Sequence, residues 1–315
     1  MSLPPLLSSL RLPVIGAPLF IISQPALVIA QCKAGIVGSF PALNARPPAL
    51  LREWIQQIRS ELRAWDAEHP ESPSAPFAVN QIVHKSNDRL EHDLSVCVEE
   101  QVPLIITSLG AREDVNRAVH RYGGTVLHDI TNVVHAHKAL ERGADGLIAV
   151  CAGAGGHAGT LSPFALIAEL RRTFAGPLVL SGAIATGQAI LAARALGADL
   201  AYIGSAFIAT EEATAPSPYK AAIVASSASD IVYTNLFTGV HGNYLRSSIA
   251  SAGLDPDRLP VSDPSKMDFG SATGAKAWRD IWGSGQGIGA VTDVVPTAAL
   301  VARLDAEYRA ARERL

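Results

Sequence analysis

Through the first two-thirds of the chain, short apolar runs alternate with stretches that keep one apolar face at helical spacing. Val14-Ile-Gly-Ala-Pro-Leu-Phe20 is an apolar run closed by a proline turn. Residues 24–34 then read as a helix carrying Ala26, Leu27, Ile29 and Ala30, stopped by Gly35. Residues 36–40 form the next strand. Pro47 and Pro48 suit a helix start, after which Leu51, Trp54, Ile55, Ile58, Leu62 and Trp65 keep one face. Further strands read at 77–83, 103–108, 125–130, 146–150, 178–183 and 201–206. Helices at 87–100 and 112–121, around His135, after Ser162-Pro163 and after Thr186 separate them, with Ser162 and Thr186 in capping positions.

That makes about eight strand-then-helix units, and such alternation implies a parallel sheet. The fold class is α/β, and the number of units favours closure into a (β/α)₈ TIM barrel, whose active site lies at the C-terminal strand ends. An open doubly wound sheet is the alternative, but no Gly-x-Gly-x-x-Gly follows the first strand. The barrel is expected over residues 1–212. Residues 213–289 read as a mostly helical, loop-rich insertion over the barrel mouth, and residues 290–315 as a C-terminal helix that completes the domain.

The chemistry concentrates in Val150-Cys-Ala-Gly-Ala-Gly-Gly-His-Ala-Gly-Thr160, directly after an apolar strand. Glycines let a backbone approach a flat or charged ligand closely, because no Cβ intervenes. Within this loop His157 is the one imidazole, a group that titrates near neutral pH and can be aimed at whatever the loop surrounds. The plainer reading is a tight turn with an exposed histidine. Two further signals favour function: Ser181-Gly182 closes the seventh strand and Gly204-Ser205 the eighth. Loops at those places in such barrels often hold a phosphate with backbone N–H groups. A second glycine-rich stretch, Trp278 to Gly289, lies far away in sequence.

Composition narrows the partners. Of 315 residues 48% are hydrophobic and 17% charged, which suits parallel strands covered on both faces. The formal net charge of -3, with no long basic run, gives nucleic acid binding little support. No apolar run is long enough to span a bilayer, and residues 1–7 do not read as a signal peptide. Cys32, Cys97 and Cys151 lack metal spacing and point to a reducing, cytoplasmic setting with buried thiols; no metal site is expected. Cys151, beside the glycine loop, is a minor candidate for a reactive thiol. His135 and His137 read as an exposed helix face, and Thr107-Ser108 as a turn. His241 and Tyr244 are candidates to shape a substrate pocket.

These motifs resemble the nitronate monooxygenase family, formerly called 2-nitropropane dioxygenases, over nearly the whole chain. The resemblance is carried by Ala17-Pro18, Ala154-Gly-Gly-His-Ala-Gly159, Ser181-Gly182, Gly204-Ser-Ala-Phe207 and Trp282-Gly-Ser-Gly-Gln-Gly287. Flavin-dependent enoyl-acyl-carrier-protein reductases and some NADH:quinone reductases look similar in the same segments. The resemblance implies FMN as cofactor, with Ala17, Pro18 and Leu19 facing the flavin ring and Asn80 bonding its edge. It implies that Gly155 and Gly156 pass close to the cofactor, that Ser181, Gly182, Gly204 and Ser205 hold the phosphate, and that Gly285 and Gln286 close over it. His128, at a strand end, is a candidate to line the flavin site, and His157 matches the family histidine near substrate and flavin N5.

The implied activity is oxidation of an alkyl nitronate, or a nitroalkane, by O₂ to a carbonyl compound and nitrite. The expected partners are a small-molecule substrate and O₂, with homodimerisation left open. The alternatives are an NAD(P)H-dependent FMN reductase acting on quinones or enoyl thioesters, and a non-catalytic flavin-binding module. The chain departs from the family pattern in three places. Gly16-Ala-Pro-Leu19 replaces the usual first-strand loop, His128-Asp129 stands where many members have lysine after the histidine, and Ala206 stands where many have arginine.

Overall fold

The computed structural model describes residues 3–262 and 279–315, so Trp278 and the first two residues lie outside the described part. Eight parallel strands follow the apolar runs: β1 (Val14–Gly16), β2 (Gly38–Pro41), β3 (Phe77–Ile82), β4 (Leu104–Ser108), β5 (Thr125–Ile130), β6 (Gly146–Val150), β8 (Leu178–Ser181) and β9 (Leu200–Ile203). The two-residue β7 (Gly156–His157) belongs to a separate sheet. The main sheet runs β1-β9-β8-β6-β5-β4-β3-β2. It closes where Gly16 N–H donates to Val37 C=O at 2.8 Å and Val37 N–H to Val14 C=O at 3.1 Å. The result is a (β/α)₈ barrel rather than an open sheet.

Alternation along each strand sends every second side chain inward. Ile15, Val37, Ala78, Leu104, Ile106, Leu127, Ile148, Val179 and Leu200 fill the barrel, and Leu7 plugs its lower end. The opposite faces pack against the outer helices, among them α2 (Pro25–Lys33), α3 (Leu50–Glu68), α6 (Val133–Glu141) and α8 (Gly187–Leu196). The C-terminal helix Thr297–Glu313 lies against α8 so closely that a Cβ on Gly187 would come within 2.1 Å of the Tyr308 nitrogen. Only glycine permits that crossing.

Boundaries shift from the sequence reading for physical reasons. The first strand stops at Gly16 instead of reaching residue 20, because Pro18 has no N–H for the ladder. Thr186 caps α8 by accepting the Ala189 N–H at 3.2 Å, whereas Ser162 holds the capping position without making the bond. Thr107-Ser108 is the end of β4, not a turn.

The described part of the insertion contains helices at Ser217–Val224 and Arg246–Ser251, and also a hairpin of β10 (Ile231–Thr234) and β11 (Gly242–Leu245). Strand content was not expected there. β11 pairs antiparallel with β7, setting Gly242 opposite His157 and Asn243 opposite Gly156.

Candidate active site

A cavity of about 620 Å³ opens at the C-terminal ends of the barrel strands, in the size range of small-molecule sites. Ala17, Pro18, Leu19, Asn80, His128, Gly155, Gly156, His157, Ser181, Gly182, Gly204, Ser205 and Gly285 all line it. Gln286 does not line it. Its N–H donates to Gly153 C=O at 2.9 Å, so it braces the first glycine loop from behind.

The floor is the top inward-facing layer of the barrel, one step above the apolar filling. It carries Asn80, Ser108, Asp129 and Tyr202. Asn80 donates one N–H to Ile106 C=O at 3.1 Å and the other to Ser108 Oγ at 2.8 Å, which leaves its oxygen as the available group. Ser108 in turn donates to Asp129 Oδ2 at 2.6 Å. Burial pushes the Asp129 carboxyl up to about 7, against the pull of the serine bond. His128, which also lines the cavity, is bonded through Nδ1 to the Thr107 hydroxyl, and burial lowers it to about 4.

The wall opposite is built from the glycine loop and the insertion. Asn243 Nδ2 donates to Ala154 C=O at 2.7 Å, Ala158 N–H to His241 C=O at 3.2 Å, and Gly285 N–H to Ser205 Oγ at 2.8 Å. A Cβ on Gly155 would sit 2.7 Å from the Gly285 nitrogen, so the two glycine loops touch as bare backbone. These ties hold β7 and thereby His157, whose Nε2 lies 3.0 Å from Thr238 Oγ1. The Thr238 hydroxyl also donates to Val240 C=O at 3.1 Å. Burial lowers His157 to about 4, and the ring is neutral at pH 7.

At the third side, Gly182 adopts φ +141, and a Cβ there would lie 2.8 Å from Ala152 C=O. With Ser181, Gly204 and Ser205 it leaves a backbone-lined cradle at the ends of β8 and β9. Apolar walls, a glycine cradle and unsatisfied polar atoms on the floor fit a flat ring system with one polar edge and a phosphate. The cation among the lining residues is Lys138, which is exposed on α6.

Several residues that line or brace the cavity escaped the sequence reading. Ser108 and Tyr202 gave no signal beyond standing at strand ends, and Tyr219, Thr238 and Asn243 lay in a region read as covering loops. His135 reaches the cavity mouth from its exposed face, bonded to Thr131, whereas His137 does not line the cavity. His241 stacks on Tyr233, and Tyr244 is buried edge-on to Phe237; neither lines the cavity. Cys151 is fully buried, which pushes its thiol up to about 12 and leaves it inert at neutral pH. Among the described residues no cluster could hold a metal ion, and no helix is long and apolar enough to cross a membrane.

Comparison with known proteins agrees with this geometry. The family model for nitronate monooxygenase matches residues 6–307. A nitronate monooxygenase of Paraburkholderia phytofirmans is 29% identical, covering 96% of this chain and 94% of that protein. One from Pseudomonas aeruginosa is 27% identical, covering 82% and 83%. Among solved structures, nitroalkane oxidase from Streptomyces ansochromogenes superposes with a TM-score of 0.82 at 25% identity, covering 99% of this chain and 100% of that one. A FabK variant from Thermotoga maritima reaches 0.79 at 26% identity, covering 98% and 96%.

Proposed function

Because this chain belongs to the nitronate monooxygenase family and is a flavin-dependent oxidoreductase, we propose that it holds FMN in this cavity and oxidises alkyl nitronates with O₂ to a carbonyl compound and nitrite. When bound, FMN supplies the electron transfer between the organic substrate and O₂. Ser181, Gly182, Gly204 and Ser205 would hold its phosphate, and Ala17, Pro18 and Leu19 would face its ring. The Asn80 oxygen would accept from its polar edge, while Gly155 and Gly156 pass beside it.

The observation that carries the reading is His157, a neutral imidazole fixed by β7 and Thr238 in the wall of an apolar cavity. A general base works best with a pKa near the working pH. A ring lowered to about 4 is a poor base towards a neutral nitroalkane. A nitronate is already deprotonated and needs only to be oriented, which a fixed imidazole does. Nitronates are therefore the better substrates, and neutral nitroalkanes the slower ones.

The likeness to the FabK variant favours one alternative, an NAD(P)H-dependent flavin reductase on the same site. The test separates the two. Purified protein should be yellow, release FMN on denaturation, and form nitrite from a preformed nitronate while consuming O₂. Anaerobic NAD(P)H oxidation without nitrite formation from nitronate would transfer the protein to the reductase reading. Colourless protein that cannot be reconstituted with FMN would remove both.

A further inference from the structure

Two polar groups on the cavity floor have no role in the reaction proposed above. The donors Asn80 N–H and Ser108 O–H run in one direction and end on Asp129 Oδ2. The other carboxyl oxygen, Oδ1, is buried with no hydrogen-bond partner among the described residues. Across the barrel, the Tyr202 hydroxyl is also buried without a partner, and lies near enough to Asp129 to feel its charge. Both residues line the cavity. A buried polar atom left unsatisfied costs roughly 1–3 kcal/mol, and more when charged. Two such atoms on one floor mark a place where a ligand completes the bonding.

Their chemistry says what part of a ligand fits. Asp129 Oδ1 can only accept when ionised, whereas the Tyr202 hydroxyl can donate. An acceptor beside a donor is the complement of an N–H next to a C=O, which is the pattern on the polar edge of an isoalloxazine ring.

We propose that Asp129, held by the Ser108–Asn80 chain and assisted by Tyr202, accepts a hydrogen bond from the ring edge of the bound flavin and, through its negative charge, makes that flavin harder to reduce. The inference rests on the flavin reading of this cavity. A fixed charge next to a redox-active ring disfavours adding electrons of the same sign, and such charges are among the levers by which a protein tunes a flavin.

The groups facing Asp129 leave its charge largely uncompensated. β4 contributes Ser108, β3 Asn80, β9 Tyr202, and β6 only Ile148 and Val150. His128 on the same strand turns to Thr107, and burial keeps it neutral. His157 across the cavity is neutral for the same reason. His135 and Lys138 stand at the mouth on α6. Since burial raises Asp129 to about 7, its charge should act fully at alkaline pH and fade on acidification.

The test is the midpoint potential of the FMN-loaded protein, measured by dye-coupled reduction at pH 8.5 and 5.5. At pH 8.5, Asp129→Asn should shift the reduced-to-oxidised ratio at fixed potential at least about tenfold towards reduced, which is ~30 mV for a two-electron couple. At pH 5.5 variant and wild type should converge. Tyr202→Phe should give a smaller shift. Equal potentials at both pH values, or a shift of the same size at both, would overturn the proposal.

Should Asp129→Asn fail to fold or to keep FMN, Ser108→Ala supplies the second measurement. It keeps the charge but removes the bond that lowers the carboxyl's pKa. The inflection in the wild-type curve of potential against pH should then move to higher pH. An absent or unmoved inflection counts against Asp129. Wild-type protein that binds no flavin brings down the functional reading as well, whereas bound flavin of unchanged potential brings down this inference alone.

Discussion

The floor and the wall of the cavity solve the same problem with different materials. The floor is made of inward-facing residues on four barrel strands, braced by the ladder on both sides. The wall is a glycine loop with almost no side chains, made rigid by a hairpin from the far end of the chain. Each buries a group that titrates between pH 4 and 7, and burial drives the two in opposite directions. Asp129 is raised to about 7 and His157 lowered to about 4, because a low-dielectric site penalises charge of either sign. In the flavin-free cavity both groups are neutral in the window between those values. The site thus starts poor in charge and responds to whichever charged ligand enters.

The comparison fails outright if the cofactor does not sit at the strand ends. Gly182→Asp tests this with the largest expected effect. The position needs φ +141, has a backbone oxygen 2.8 Å from any Cβ, and would gain a carboxylate facing a phosphate. Backbone strain alone costs about 1–3 kcal/mol. Purified variant should carry no flavin absorbance, while Gly182→Ala, which lacks the charge, should retain part of it. Full flavin content in the Asp variant would place the phosphate elsewhere.

The wall is broken next. His157→Asn keeps a side-chain hydrogen-bond donor but cannot take a proton at neutral pH. A ring lowered to about 4 orients rather than removes a proton, so on neutral nitroalkanes the loss should be no larger than on nitronates, roughly tenfold. On preformed nitronates the loss should likewise be about tenfold, since orientation is what is disturbed. Oxygen uptake with both substrate forms checks this, and a roughly 10²–10⁴-fold loss confined to the neutral form would make His157 a base after all. Unchanged rates on both, with FMN bound, would take His157 out of the mechanism.

The two regions also differ in how far the sequence revealed them. β5 and β6 were readable to the residue, because each is a short apolar run bounded by glycine or a turn. His157 and Gly182 stood out through local composition alone. The floor was half legible: Asn80 was an amide inside an apolar strand, and Asp129 was visible as a departure from a family pattern. What Asp129 does depends on Ser108 and Tyr202, which meet it only when β4 and β9 close the same barrel. The wall was least legible. β10 and β11 are four residues each, and β11 pairs with a two-residue strand more than 80 positions earlier. Periodicity within a window cannot report such a contact.

A stability measurement sharpens the contrast in charge. His157 and His128 stay neutral in the folded protein down to about 4, whereas the unfolded chain takes those protons near 6.5. Their contribution to stability therefore falls as pH drops through that window. Asp129 keeps its proton when folded up to about 7 but loses it near 3.8 when unfolded, so its contribution falls as pH rises. Each is worth at most ~1.4 kcal/mol per pH unit. Between pH 4.5 and 6.5 the flavin-free Asp129→Asn variant should thus gain stability with pH more steeply than wild type, and His157→Asn less steeply. Denaturant unfolding at several pH values gives the slopes. Parallel curves for all three proteins would show that neither group is buried as a neutral species.

The smallest effect probes whether the insertion's side chains, as well as its backbone, aim the histidine. Thr238 Oγ1 stands 3.0 Å from His157 Nε2 and 3.1 Å from the Val240 carbonyl oxygen. Thr238→Val is nearly isosteric but removes the hydroxyl that Nε2 is bonded to, and a lost buried bond of this kind costs roughly 1–3 kcal/mol. The kcat/KM for nitronate should drop about tenfold, because the ring is no longer held in one orientation. FMN content and midpoint potential should not move, since the floor is untouched. Thr238→Ser should restore activity, which a loss through packing alone would not allow. If the valine variant matches wild type with FMN in place, the pairing of β7 with β11 suffices to set the ring, and the wall works through backbone only.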